Sequence, residues 1–119
     1  MPTAREDYLL RMITQAAAAL RRLRERLVGG GSAEDVVRDA GAAIGELLGP
    51  QRSTLELLDP KSATMLLGND ERVPHWIALM RLQAEAARQS GADERALRLE
   101  QRAGALELEF DRMAMQPKH

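Results

Sequence analysis

Apolar residues recur three and four positions apart along most of the chain, the spacing that places side chains on one face of an α-helix. Over 5–28 this spacing is continuous, and the apolar positions that form it are Leu9, Ile13, Ala16, Leu20, Leu23 and Leu27. Leu10 and Met12 widen the apolar surface in the early half of the segment. The pattern predicts a long helix whose first half is buried on more than one side.

Glycines 29–31 predict the end of the first helix, because a run of glycines rarely continues a helix. Ser32 follows in an N-cap position and predicts a second helix over 33–48. On that helix Gly41 and Gly45 lie four positions apart. This spacing predicts a narrow strip where a neighbouring backbone can approach closely.

Residues 51–69 are too apolar to remain in water but lack a long periodic stretch. They predict connecting structure with one or two short helical turns, which Ser53 and Asp59 are placed to cap. No run alternates with the two-residue period of a β-strand, so we predict no sheet.

Two further periodic stretches, 71–90 and 94–114, are separated only by a short turn around Gly91. A connection this short predicts two antiparallel helices, the first capped by Asp70. Taken together, the pattern predicts one all-α domain over residues 1–119, a helical bundle of four to five helices that ends in an antiparallel hairpin.

The hairpin resembles a single tetratricopeptide-like repeat over 76–106. Small residues occupy the positions where that repeat needs close helix packing and a tight turn: Ala84, Gly91, Ala96 and Ala103. The whole chain is similar to small bacterial helical proteins without an assigned function, through its opening residues 5–13, the leucine-rich turns and the terminal hairpin. The resemblance implies the all-helical fold and transfers no chemistry. One such hairpin cannot bury its own apolar face, so other helices or a second subunit must cover it.

The charge balance argues against partners that bind mainly through electrostatic attraction. Seventeen basic and eighteen acidic residues leave a net charge of −1, which gives no long-range attraction for nucleic acid or an anionic membrane. The sequence contains no cysteine and so offers no thiol chemistry, and we expect a cytoplasmic protein without a cofactor. We also expect no signal peptide and no membrane span.

Few residues form a pattern typical of catalysis or ligand binding. Glu71 and His75 are four apart, as in a metal or acid–base pair, but no second histidine lies close in sequence, so a solvated first helical turn is the favoured interpretation. An arginine-rich stretch, 21–26, is typical of phosphate binding or of a solvated helix flank. The acids between 100 and 111 alternate with arginines, as they do on an exposed helix.

These patterns favour a non-enzymatic structural or protein–protein interaction module that forms a homodimer through helix packing. The candidate interface residues are Leu9, Ile13, Ala16, Leu20, Leu23, Trp76 and Leu79. One alternative is an adaptor that binds a peptide or helix of another protein, and it predicts an exposed apolar patch around Trp76, Leu79 and Leu82. A small enzyme or a nucleic-acid binder is the remaining alternative.

Overall fold

The structure, a computed structural model, describes residues 3–68 and 70–115. It confirms the all-α bundle, and the described residues contain no β-strand. Four long helices and two short ones follow each other in chain order. They are α1 (Ala4–Val28), α2 (Ala33–Leu48), α3 (Arg52–Leu57), α4 (Pro60–Leu67), α5 (Arg72–Gln89) and α6 (Asp93–Met115), with a single 3₁₀ turn (Gly49–Gln51) before α3.

Helix α5 is the centre of the bundle. Its buried residues lie on nearly every side of the helix, and α1, α2, α4 and α6 all pack against it. Only one strip of α5 is not covered by another helix, and this strip includes Pro74, Ala78 and Glu85. A helix buried on this many sides needs apolar residues beyond a single stripe, which explains why Trp76, Leu79 and Leu82 broaden its periodic pattern.

Ion pairs link neighbouring long helices of the bundle. Arg26 on α1 pairs with Asp39 on α2 at 2.9 Å. The α5–α6 hairpin is antiparallel, and Arg81 reaches Glu107 across it at 2.9 Å. Gly91 makes the hairpin turn with a φ of 88°, a left-handed conformation that favours glycine.

Side-chain caps begin three of the helices. Thr3 and Glu6 form a capping box at α1, and Ser32 accepts a hydrogen bond from the Asp35 backbone at α2. Asp59 caps α4 as its position predicts. The expectation for Ser53 is wrong, because α3 begins at Arg52, directly after the 3₁₀ turn, so Ser53 lies inside the helix, which has no side-chain cap.

The predicted role of Gly41 and Gly45 needs correction. No helix backbone fills the space beside them, and two polar side chains do so instead. A Cβ atom at Gly41 would lie 3.2 Å from Gln83 Nε2, and one at Gly45 would collide with the guanidinium of Arg52. The glycines therefore make room for an amide and a guanidinium group that sequence spacing alone does not identify.

The first half of α1 is less buried than its sequence predicts. The buried residues of this helix are Ala16, Ala19, Leu23 and Leu27, all beyond its third turn. Among the helices of the described residues, α1 packs on α2 and α5, so no further helix there covers a second side of its early turns. Leu9 and Ile13 are half-buried, and Leu10 is 63% exposed.

Candidate functional site

An open groove with a volume of about 680 Å³ lies over the uncovered strip of α5. Helices α1 and α6 stand on its two sides, and within the described residues their backbones do not approach each other closely. We call it the α1–α6 groove. Its lining residues are Arg24, Pro74, Ile77, Ala78, Arg81, Leu82, Glu85, Arg88, Glu100, Glu107, Phe110 and Asp111.

The two walls of the groove differ in charge. Helix α6 contributes an acidic row, Glu100, Glu107 and Asp111, whereas α1 contributes the basic residue Arg24. Arg81 of the floor binds Glu107 through two hydrogen bonds, of 2.9 and 3.1 Å. Arg88 of the floor also lies 3.9 Å from Glu100, so Asp111 is the acid of this row without an ion pair among the described residues.

One acid of the groove, Glu107, has a pKa that favours its charged form. Hydrogen bonding to Arg81 is the main cause that lowers the pKa of Glu107 below its ordinary value. A general acid would need the opposite shift, which burial without a cationic partner produces. This geometry suits ion pairing better than proton donation.

A second cavity lies on the opposite side of α5, between α2, α3 and α6, with a volume of about 350 Å³. We call it the α2–α6 pocket. Its floor includes Trp76 and Met80, and its polar lining is formed by Arg52, Glu56, Gln83, Arg95 and Arg102. Both glycines of α2 border this region, since Gly41 lines the pocket and Gly45 lies against Arg52.

Arg102 is the best-anchored charged side chain of this pocket. Its guanidinium donates hydrogen bonds to the backbone oxygens of Leu58 and Leu55, at 3.1 and 2.8 Å, and lies 5.5 Å from the ring centre of Trp76. Burial lowers the pKa of Arg102, although the neighbouring acids Glu56 and Asp59 oppose the shift. In the sequence Arg102 is one of several arginines on α6, and only the fold distinguishes it.

The predicted interface residues divide into two groups. Ala16, Leu23, Trp76 and Leu79 are buried inside the chain and form part of its core. A second copy cannot reach them without opening the fold, so their assignment to a surface is corrected. The remaining three, Leu9, Ile13 and Leu20, are half-buried at or near the surface of α1.

The exposed patch expected of the adaptor is also absent from the structure. Trp76 is 1% exposed, Leu79 is fully buried, and Leu82 lies in the core cluster beneath α1 and α2. Helix α5 is covered on this side by its neighbours, which sequence periodicity could not reveal. The prediction of an apolar patch around these residues is wrong.

The weaker sequence candidates have structural explanations. His75 Nδ1 lies 2.9 Å from the backbone oxygen of Glu71, so the contact involves the main chain of Glu71. Arg26 of the arginine-rich stretch pairs with Asp39. Glycines 29–31 end α1, and Gly30 adopts a φ of 86°. Within residues 3–68 and 70–115, no three His, Asp or Glu side chains are grouped closely enough to hold a metal ion.

Two general findings complete the description of the site. No described helix combines the length and the apolar character needed to cross a membrane. No family model, no curated protein and no solved structure matches the chain.

Proposed function

We propose that the protein is a non-enzymatic interaction module that forms a homodimer by pairing the α1–α6 grooves of two copies. The observation that carries the proposal is the exposed apolar surface beside both walls of the groove. Helix packing normally buries such surface, and contiguous exposed patches commonly mark interaction sites.

On α6 the exposed apolar residues lie on one strip of the helix. Leu108 lies about three helical turns after Leu97 and about two turns before Met115, so the three residues share one side of α6. Leu108 directly follows Glu107 of the groove wall. Leu108 is 53% exposed and Met115 is 84% exposed. This strip continues the acidic wall outward and has no covering helix among the described residues.

On α1 the corresponding strip is formed by Leu10, Ile13 and Ala17, and Arg24 continues it into the groove lining. None of these four residues is buried. A second surface that covers these apolar side chains stabilises the complex by about 25 cal/mol for each Å² of apolar area removed from water.

The charges of the groove complement a second copy of the same groove. A two-fold axis along the groove would place α1 of each copy opposite α6 of the other. Arg21 and Arg24 would then face the acidic row that contains Glu107 and Asp111. The chain's net charge of −1 does little to oppose such pairing.

The size of the surface also fits a dimer. Helix α1, with 25 residues, is roughly 37 Å long. Three helices packed side by side, as α1, α5 and α6 are here, measure roughly 20 Å between the axes of the outer two. Such a face approaches the roughly 800 Å² per partner that is typical of a stable interface.

Mass measurement tests the proposal directly. Sedimentation equilibrium at 5–100 µM, about the range for a moderate interface, should give twice the chain mass of 13.2 kDa. Leu108→Glu should raise the dissociation constant more than about tenfold. Leu57→Glu is the matched control, because Leu57 is 88% exposed on α3, outside the groove. A monomer throughout this range, or equal weakening by both variants, would refute the dimer.

A charge exchange tests how the two copies are arranged. Arg24→Glu alone should weaken association through repulsion from the acidic wall, and adding Asp111→Lys should restore most of it. If the double variant loses as much association free energy as the two single variants lose together, α1 does not face α6 in the dimer. Circular dichroism on each variant confirms that the helices remain folded.

A further inference from the structure

We propose that the α2–α6 pocket binds a small organic anion, with a carboxylate held by arginines and an apolar body resting on Trp76 and Met80. The site is independent of the proposed dimer, since it lies on the opposite side of α5 from the groove. Four features of the pocket support this inference.

The first feature is the excess of positive charge. Arg52, Arg95 and Arg102 line the pocket together with a single acid, Glu56, whose carboxylate binds Arg52 at 2.9 Å. Arg95 is exposed and makes no ion pair within the described part of the chain. Planar guanidinium groups match a carboxylate through paired hydrogen bonds, so Arg95 and the unused donors of Arg102 suit this ligand group.

The second feature is a pair of polar atoms without protein partners. The indole N–H of Trp76 and the side-chain oxygen of Gln83 make no hydrogen bond to protein groups in residues 3–68 and 70–115, although both residues are more than nine-tenths buried. Neither atom is sealed from solvent, and both side chains line the pocket. A water molecule or a ligand that enters the pocket can therefore serve as their partner.

The third feature is the fixed orientation of the Gln83 amide. Its nitrogen donates a hydrogen bond to the backbone oxygen of Val37 at 3.1 Å, which only the amide nitrogen can do. The oxygen therefore points away from α2 and is available as an acceptor. Gly41 permits this arrangement, because a Cβ atom there would lie 3.2 Å from the same nitrogen.

The fourth feature is the apolar floor. Its apolar residues are Leu99, which is half-buried, and Trp76, Met80 and Ile44, which are only 1–4% exposed. The volume of about 350 Å³ is at the lower end of the range for ligand pockets, which favours a ligand with a single ring or a short chain. An inorganic anion would leave this floor uncovered.

Nuclear magnetic resonance provides the test, because Trp76 is the single tryptophan and gives one indole N–H signal. We expect 3-phenylpropionate to shift this signal saturably, with a dissociation constant at least tenfold lower than that of 3-phenylpropanol, its neutral counterpart. Inorganic phosphate should shift the signal little. No saturable shift, an equal affinity for the alcohol, or an equal response to phosphate would overturn the proposal.

Arginine variants locate the carboxylate. Arg95→Gln should weaken binding of 3-phenylpropionate about fivefold or more, because it removes the arginine without an ion-pair partner. Arg22→Gln, an exposed arginine on α1 away from the pocket, is the matched control and should leave affinity unchanged. Equal weakening by both variants would show general charge attraction and contradict the assigned site.

Discussion

Arg81 and Glu107 join the two helices of the terminal hairpin through two hydrogen bonds between guanidinium and carboxylate groups. Both side chains are nearly half-exposed, so water screens their attraction. Their pairing nevertheless affects stability in a pH-dependent way. Because Arg81 lowers the pKa of Glu107 in the folded state, the stabilisation is present above the ordinary value of 4.5 and is lost as the pH falls through the folded pKa.

Glu107→Gln should therefore lower the free energy of unfolding by about 0.5 kcal/mol at pH 7, with the difference from the parent protein shrinking below about pH 4.5. Urea denaturation at pH 7 and pH 3 measures the difference. Glu109→Gln is the control, because Glu109 pairs only with Arg112 in the same helix. A difference that grows as the pH falls would contradict the assigned pairing.

Two glycines of the hairpin should respond oppositely to alanine. Gly91 has a φ of 88°, so Gly91→Ala should destabilise the protein by about 1 kcal/mol. Gly104 lies inside α6, and a Cβ atom there would have no neighbour within 4 Å. Gly104→Ala should therefore stabilise the protein by about 0.5–1 kcal/mol through its helix propensity.

Thermal unfolding followed by circular dichroism distinguishes the two glycine variants, because their midpoints should move in opposite directions from the parent value. The comparison controls for the added methyl group, which is the same in both. Stabilisation by Gly91→Ala would show that the hairpin turn does not need the left-handed conformation.

The sequence predicted the helices well because their signals are local. Periodic apolar spacing, the glycine run and the N-cap residues Ser32 and Asp59 all act within one or two turns. The structure accordingly has a helix over Ala33–Leu48, where the pattern predicts one over 33–48. Helical segments also occupy the predicted connecting stretch.

The candidate surfaces were harder to predict, because burial depends on which helices become neighbours. Leu10 and Leu79 each broaden the apolar stripe of their helix, yet Leu10 is exposed and Leu79 is buried. Residues of α2, α3, α5 and α6 meet in the α2–α6 pocket, and no local signal marks Gln83 or Arg102 as its polar lining. Sequence periodicity identifies an apolar face and leaves open what covers it.

Arg102 should be the most important surface-accessible side chain for the packing of α3. It donates hydrogen bonds to two backbone oxygens near the end of that helix, which is only six residues long and lacks a side-chain cap. Carbonyl groups at a helix end need partners, and bonds from a charged donor contribute more than neutral ones. The guanidinium also lies 5.5 Å from the ring centre of Trp76.

Arg102→Ala should therefore lower the free energy of unfolding by about 2–3 kcal/mol. Arg102→Lys should recover only part of the loss, because an ammonium group lacks the fork that reaches both Leu55 and Leu58. Arg98→Ala, an exposed arginine one turn away, should change stability by less than about 0.5 kcal/mol. Urea denaturation of the three variants measures these differences, and equal effects of the Arg98 and Arg102 substitutions would mean that the two carbonyl contacts do not hold α3 in place.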